Sequence, residues 1–127
     1  MAVKTTSEKL GLKAAGALLL FAAPPGVEAL LGALPEGATV VKDPAAPCRL
    51  TLVFARNCSE LVRHMPRAIA ALAPGGALWV AFYKKSSAQK TDLDRDTIRE
   101  HAMTLGVQAV SIIAIDAQWS ALRFKTV

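Results

Sequence analysis

The sequence predicts an α/β fold in which a mostly parallel sheet is covered by helices on both faces. Residues 77–82 are apolar without alternation, which is typical of a strand buried on both faces. Similar apolar runs alternate with helical patterns, as expected of parallel strands joined by right-handed crossovers. Two further strands, predicted over residues 110–115 and 118–125, are so close in sequence that they must pair as an antiparallel hairpin.

Length and composition are those of a single globular domain, which we take as residues 1–127. A chain of 127 residues can bury a hydrophobic core. It has 53% hydrophobic and only 20% charged residues, so general disorder is not expected. The formal net charge of +5 permits anionic partners, but the basic residues are scattered. Nucleic-acid binding is therefore an unlikely role.

Targeting, membrane and metal signals are weak. The apolar run 14–23 follows three lysines and resembles a signal peptide, but the fold needs it as a strand. No run approaches the roughly 18 apolar residues of a membrane span, so we expect a cytoplasmic protein. Two cysteines without a C-x-x-C motif predict neither a disulfide framework nor a zinc site.

The first half of the predicted order of elements follows from prolines, glycines and apolar runs. Ser7 is the expected cap of a short helix over residues 8–12. Pro25 suits the first position of the next helix. The predicted elements that follow residue 12 are strand 17–23, helix 26–34, strand 38–42 and strand 50–55.

The second half begins with Asn57 and Glu60, which have the spacing of an N-cap and its reciprocal partner. Pro66 should kink or split the helix that they start, and Pro74 should end it before strand 77–82. Thr91 and Asp94 are the expected cap pair of the last helix.

The Leu-x-Pro-Gly-Gly motif at residues 72–76 and the C-terminal hairpin resemble the class I S-adenosylmethionine-dependent methyltransferases. More closely, residues 8–125 resemble a small bacterial family of unknown function built on that Rossmann-like core. The matching segments are residues 23–28 (Ala-Pro-Pro-Gly-Val-Glu), Lys84–Lys85, residues 91–93, and Asp116 followed by Trp119–Ser120. The resemblance implies a three-layer Rossmann-like fold with sheet order 2-1-3-4-6-5 and strand 6 antiparallel.

The same resemblance implies a cofactor site at the turn after strand 1. Methyltransferases of this class have a glycine-rich turn there, whereas Pro24 and Pro25 here remove two amide donors. The residues in cofactor-binding positions are Pro24, Gly26 and Asp43, the last in place of the acidic residue that binds ribose. We expect no cofactor, and no S-adenosylmethionine binding tighter than about millimolar. The alternative to the absence of a cofactor is that the chain binds S-adenosylmethionine.

A second candidate site collects positive charge at the carboxyl ends of strands 3 and 4. Arg56, Asn57, Lys84 and Lys85 follow these strands, and the strand order places a topological switch point between strands 1 and 3. The amides that begin the helix after Asn57 add a partial positive field. We therefore predict that a small anion binds here.

The leading functional interpretation is a non-catalytic module that binds a protein partner, a second copy of itself or a small anion. A minimal S-adenosylmethionine-dependent methyltransferase is the alternative, and a basic nucleic-acid accessory protein is the third. No catalytic residue is predicted, because no Ser-His-Asp order, carboxylate pair or phosphate loop is visible. Trp79 should be a core residue, while Trp119 either stacks on a ligand or closes the core.

Overall fold

Helices and strands alternate along the computed structural model, which describes residues 5–42, 48–84, 91–116 and 118–126. The elements in chain order are α1 (Thr6–Lys9), β1 (Ala17–Phe21), α2 (Val27–Leu31), β2 (Thr39–Val41), β3 (Cys48–Phe54), α3 (Cys58–Ala70), β4 (Leu72–Tyr83), α4 (Arg95–Thr104), β5 (Val107–Ala114) and β6 (Trp119–Thr126).

The strands form a six-stranded sheet in the order β2-β1-β3-β4-β6-β5, which confirms the predicted order. Strands β1 to β4 are parallel to one another, and β6 runs antiparallel to both β4 and β5. Strand β1 has β2 on one side and β3 on the other. The chain therefore runs outward from β1 to β2 and then crosses back over β1 to β3, so these two connections run in opposite directions. This arrangement is the topological switch point of an open α/β sheet.

Two hydrophobic clusters cover the two faces of the sheet. Residues of α2 and of the segment between α1 and β1 pack on one face, and residues of α3 and α4 pack on the other. Strands β1, β3 and β4 contribute to both clusters because their side chains alternate between faces. Burial on both faces explains why these strands are continuously apolar in sequence.

Both tryptophans belong to the core. Trp79 is 2% exposed, and its Nε1 donates a hydrogen bond to the Leu10 carbonyl oxygen at 2.8 Å. Trp119 is 4% exposed and meets Phe54 edge to face, with ring centroids 5.1 Å apart. It also lies 4.3 Å from the ring centroid of Tyr83. Of the two roles considered for Trp119, the structure favours closing the core.

The predicted split at Pro66 was wrong, because α3 is a single helix from Cys58 to Ala70, and a kink there stays a prediction. Proline removes one helical hydrogen bond, which leaves the Val62 carbonyl without its intrahelical donor. Pro66 and Val62 are both exposed, so water can satisfy that carbonyl. The opposite side of the helix holds α3 in place through Leu61, Met65 and Ala68, all fully buried.

The prediction that Pro74 ends α3 was also wrong. The helix ends at Ala70, and the Ala71 carbonyl accepts a hydrogen bond from the Cys48 amide at 2.9 Å, which starts the pairing of β3 with β4. The register then shifts from Cys48 opposite Leu72 to Leu50 opposite Ala77. Residues 73–76 are therefore extra residues on the β4 side of an irregularity in its pairing with β3.

Three helix starts differ from their predictions, two of them because other contacts occupy the expected caps. Thr5 caps α1, while Ser7 is fully buried and donates to the Ala33 carbonyl at 3.0 Å. Asp94 caps α4 through the Thr97 amide, and Thr91 instead donates to the Arg56 carbonyl. Helix α2 starts at Val27 and not at Gly26, because Gly26 has a left-handed φ of 80° and serves as the N-cap.

Candidate functional site

The carboxyl ends of the parallel strands form one edge of the sheet, which we call the carboxyl edge. The turn after β1 (residues 22–26), Lys42 after β2, Arg56 and Asn57 after β3, and Lys84 after β4 all lie there. Of the predicted site residues, Pro24, Gly26, Arg56, Asn57 and Lys84 are described at this edge. Asp43 and Lys85 lie outside the described residues.

A cavity of about 350 Å³ opens at this edge, between the end of β1, the end of β2 and the side of α3. We call it the carboxyl-edge cavity. Its lining consists of Leu20, Phe21, Ala22, Ala23, Lys42, His64 and Arg67. Its size lies within the range of about 300–1,000 Å³ that is usual for small-molecule sites.

The turn after β1 forms one wall of this cavity and has an unusual backbone. Ala22 has a φ of 56°, a left-handed conformation that alanine adopts at a cost of about 1 kcal/mol or more. Gly26 has a φ of 80°, and a side chain placed there would meet no atom within 4 Å. The Val27 amide donates to the Pro24 carbonyl at 3.2 Å, which closes the turn. Pro24 and Pro25 supply no amide hydrogen to this wall.

The α3 wall of the carboxyl-edge cavity brings together residues that the sequence analysis did not single out. Arg67 is exposed and lies one turn beyond His64, whose Nδ1 is shielded from solvent and has no partner among the described residues. Lys42 approaches from the end of β2. The only sequence signal was the i, i+3 spacing of His64 and Arg67, which places them on one face of the helix.

The chemistry of this lining fits part of an S-adenosylmethionine molecule. Lys42 and Arg67 offer cations for a carboxylate, and Phe21, whose side chain lies on the α3 face, offers apolar surface for a flat ring system. Small side chains at Ala22 and Ala23 let a ligand approach the backbone. The two prolines do not fit, because the turn lacks donors where a glycine-rich turn would have them.

Arg56 forms an ion pair with Glu60 in the described structure. Its Nη2 lies 2.9 Å from Glu60 Oε2, and its Nε lies 3.1 Å from Oε1. Hydrogen bonding to Arg56 holds the pKa of Glu60 below its usual value, and the same bond raises the pKa of Arg56. Glu60 also accepts from the Arg56 amide at 2.8 Å, so the predicted reciprocal contact is made to Arg56 instead of Asn57.

The first turn of α3 is also occupied by groups of the chain itself. Asn57 Oδ1 accepts from the Glu60 amide at 2.9 Å, which confirms the predicted cap. Asp92 Oδ1 accepts from the Cys58 amide at 2.7 Å. An anion at this position would have to share amides that already bind side chains. The predicted anion site at Arg56, Asn57, Lys84 and Lys85 thus stays a prediction.

Within the described ranges, no group of three His, Cys, Asp or Glu side chains is placed to hold a metal ion. Within the same residues, no helix is both long enough and apolar enough to cross a membrane.

Comparison with known proteins gives a likeness of fold. No family model and no curated protein matches the chain. A DhpI–SAH complex has a TM-score of 0.64 at 12% identity, over 95% of this chain and 82% of that one. An rRNA methylase from Streptococcus thermophilus has a TM-score of 0.61 at 12% identity, over 99% of both chains.

A third similar structure is the ribosomal protein L11 methylase from Lactobacillus delbrueckii subsp. bulgaricus. Its TM-score is 0.61 at 12% identity, over 95% of this chain and 74% of that one. The strand order of this chain is the one that the resemblance implied. The chain thus has the Rossmann-like fold of the class I S-adenosylmethionine-dependent methyltransferases.

Proposed function

We propose that this chain is a minimal S-adenosylmethionine-dependent methyltransferase whose cofactor lies in the carboxyl-edge cavity. The observation that carries the proposal is the position of this cavity, against the carboxyl end of β1 in a sheet of methyltransferase order. Ligands of open α/β sheets gather at the carboxyl ends of strands near the switch point. The similarity to a SAH-bound structure favours this function over the expectation that no cofactor binds.

The roles of individual residues follow from the chemistry of the cavity. When bound, S-adenosylmethionine supplies an electrophilic methyl group on its sulfonium. Lys42 and Arg67 would hold its carboxylate by charge, and Phe21 would contact its adenine ring. His64 lines the α3 side of the cavity, with its Nδ1 shielded from solvent.

Titration calorimetry of the full chain with S-adenosylmethionine and S-adenosylhomocysteine tests the proposal. We expect saturable micromolar binding, equivalent to about −8 kcal/mol. Arg67→Glu should weaken it at least tenfold, because the substitution replaces a cation in the cavity by an anion. Arg63→Gln, at an exposed position on the same helix, is the control and should bind like the parent. No binding at millimolar ligand would overturn the proposal.

A gain-of-function variant sharpens the test. Substituting both Pro24→Ala and Pro25→Ala adds two amide donors to the turn after β1. If the cofactor contacts this turn, its affinity should rise at least fivefold in the double variant. An unchanged affinity would mean that the bound molecule does not use the turn, and the proposed cofactor position would be wrong.

The second candidate function is the non-catalytic binding module, which Pro24 and Pro25 favour. In this alternative the turn cannot hold a cofactor. The module instead binds a small anion through Arg56, Asn57, Lys84 and Lys85, or binds a protein partner or a second copy of itself. Calorimetry with sulfate and phosphate tests the anion. Binding that Arg56→Gln abolishes, together with no S-adenosylmethionine binding, would select this alternative. Sedimentation analysis at increasing protein concentration tests self-association.

A further inference from the structure

The opposite edge of the sheet, where the parallel strands begin, carries a second cavity of about 370 Å³. We call it the amino-edge cavity. It lies between the segment that joins α1 to β1 and the beginnings of β1, β3 and β4. The five residues of β1, at about 3.3 Å each, separate it from the carboxyl edge by roughly 16 Å. Inferences about this cavity therefore do not rest on the proposed methyltransferase function.

The charge on this cavity has one sign. Lys9, Lys13, Arg49 and Arg123 line it, and all four are exposed. No carboxylate is among its lining residues, and within the described ranges none forms an ion pair with these four side chains. The nearby Glu8 carboxylate instead accepts hydrogen bonds from Thr5. Four positive charges therefore line this cavity, and no carboxylate in the described part of the chain pairs with them.

The cations surround an apolar floor. Leu10, Leu12 and Leu50 line the cavity and are at most 6% exposed, so their side chains are held by the core beneath. The Leu10 carbonyl is fixed by the Trp79 indole, which anchors this floor to the central strand. A ligand that fills this cavity therefore meets hydrophobic surface below and positive charge at the rim.

Two glycines leave the rim open to a ligand. Gly11 and Gly75 line the cavity with φ values of 98° and 74°, and a side chain at either position would meet no atom within 4 Å. Their backbone is accessible there. A planar or phosphate group can therefore approach the main chain at these two points without a steric obstacle.

We propose that the amino-edge cavity binds a nucleotide, with its phosphates on the four cations and its base on the apolar floor. Clustered, unpaired basic side chains attract phosphate, and arginine binds it in bidentate geometry. Because the floor is apolar, the cavity should bind a ligand with a flat apolar part more tightly than an inorganic anion. The nucleotide is either a free molecule or one unit of a single-stranded RNA, since both offer phosphate and base.

Titration calorimetry of the full chain at 50 mM salt, with ADP, pyrophosphate and a single-stranded RNA of eight nucleotides, tests this proposal. We expect ADP to bind saturably and at least tenfold more tightly than pyrophosphate, which has no base for the floor. If RNA binds more than tenfold more tightly than ADP, the nucleotide that the cavity recognises is part of an RNA. If the two affinities are comparable, it is a free nucleotide. Failure of all three ligands to bind, or equal affinity for pyrophosphate and ADP, would overturn the proposal.

Paired variants locate the site. Lys13→Gln with Arg49→Gln should weaken ADP binding at least tenfold. The control, Arg63→Gln with Arg99→Gln, removes the same charge from exposed helix positions and should change it less than twofold. Thermal unfolding should be alike in both. Equal weakening by the two pairs would indicate general charge attraction and overturn the site.

The carboxyl-edge cavity is a competing location for ADP, because it is proposed to accept adenine. Arg67→Glu distinguishes the two cavities. It should leave the affinity for ADP unchanged and weaken the binding of S-adenosylhomocysteine. The variant with Lys13→Gln and Arg49→Gln should weaken ADP binding and leave the affinity for S-adenosylhomocysteine unchanged. If Arg67→Glu abolishes ADP binding and the amino-edge variant does not, the nucleotide site proposed here is wrong.

Discussion

The Asp92 carboxylate accepts a hydrogen bond from the Cys58 amide at 2.7 Å, across 34 residues of sequence. Beside it, Thr91 Oγ1 donates to the Arg56 carbonyl at 2.6 Å. The segment before α4 is thereby tied to the end of β3 and the start of α3. The contact also places a negative charge at the positive end of the α3 dipole, where it is stabilising.

Replacing Asp92 by alanine should destabilise the fold and free the start of α3. We expect a loss of about 1–2 kcal/mol, as for other carboxylates bound to helix N-terminal amides. Sulfate should then raise the melting temperature of the variant more than that of the parent, because the Cys58 amide becomes available. Glu100→Ala, at an exposed position of α4, is the control for charge. A variant as stable as its parent in urea would contradict this role of Asp92.

The pair of Arg56 and Glu60 predicts a stability that depends on pH. The folded-state pKa of Glu60 is lowered by its hydrogen bond to Arg56. Its contribution is therefore complete above the unfolded pKa, about 4.3, and is lost as the pH falls through the lowered folded value. Because the pair is partly exposed, with side-chain exposures of 45% and 23%, we expect only about 0.5–1 kcal/mol.

The variant Glu60→Gln measures this contribution. In urea unfolding at neutral pH it should be less stable than the parent by that amount. The difference should shrink as the pH falls below about 4.3 and through the lowered folded pKa of Glu60, because the parent carboxylate is then protonated as well. A difference that stays constant across this range would show that charge is not its cause.

Trp79 provides a test of how the N-terminal segment is held. Trp79→Phe keeps most of the buried ring but removes the donor to the Leu10 carbonyl, which should cost about 1–3 kcal/mol. Trp79→Ala should cost about 3–5 kcal/mol, because it also opens a cavity in the core. Guanidinium unfolding gives both values. A Trp79→Phe variant as stable as the parent would contradict the contribution of the hydrogen bond, and equal losses in the two variants would contradict the added cost of the cavity.

Gly75 and Gly76 are neighbours with different reasons to be glycine. A Cβ at Gly76 would lie 2.9 Å from the backbone oxygens of Ala73 and Arg49, so Gly76→Ala should cost about 1–3 kcal/mol through forced backbone shifts. Gly75 has open space but a φ of 74°, so Gly75→Ala should cost about 1 kcal/mol from conformation alone. Thermal unfolding compares them, and a larger loss at Gly75 would contradict the steric argument.

Local patterns in the sequence were sufficient to predict the elements themselves. Uninterrupted apolar runs indicated the buried strands, and the short spacing before β6 required a hairpin. The cap at Asn57 acts on the Glu60 amide as predicted, whereas α4 is capped by Asp94 and not by Thr91. The order of strands came from the resemblance of the whole chain to a known core, and the sheet confirms it.

Tertiary structure alone decided which side chains meet. Local rules could not predict that Asp92 would bind the Cys58 amide, because that contact depends on how β3 and β4 are aligned. The same applies to the amino-edge cavity, whose cations come from α1, its following segment, β3 and β6. Backbone propensity acts over three or four residues, whereas a site is built by strand order and register, which bring distant residues within contact distance.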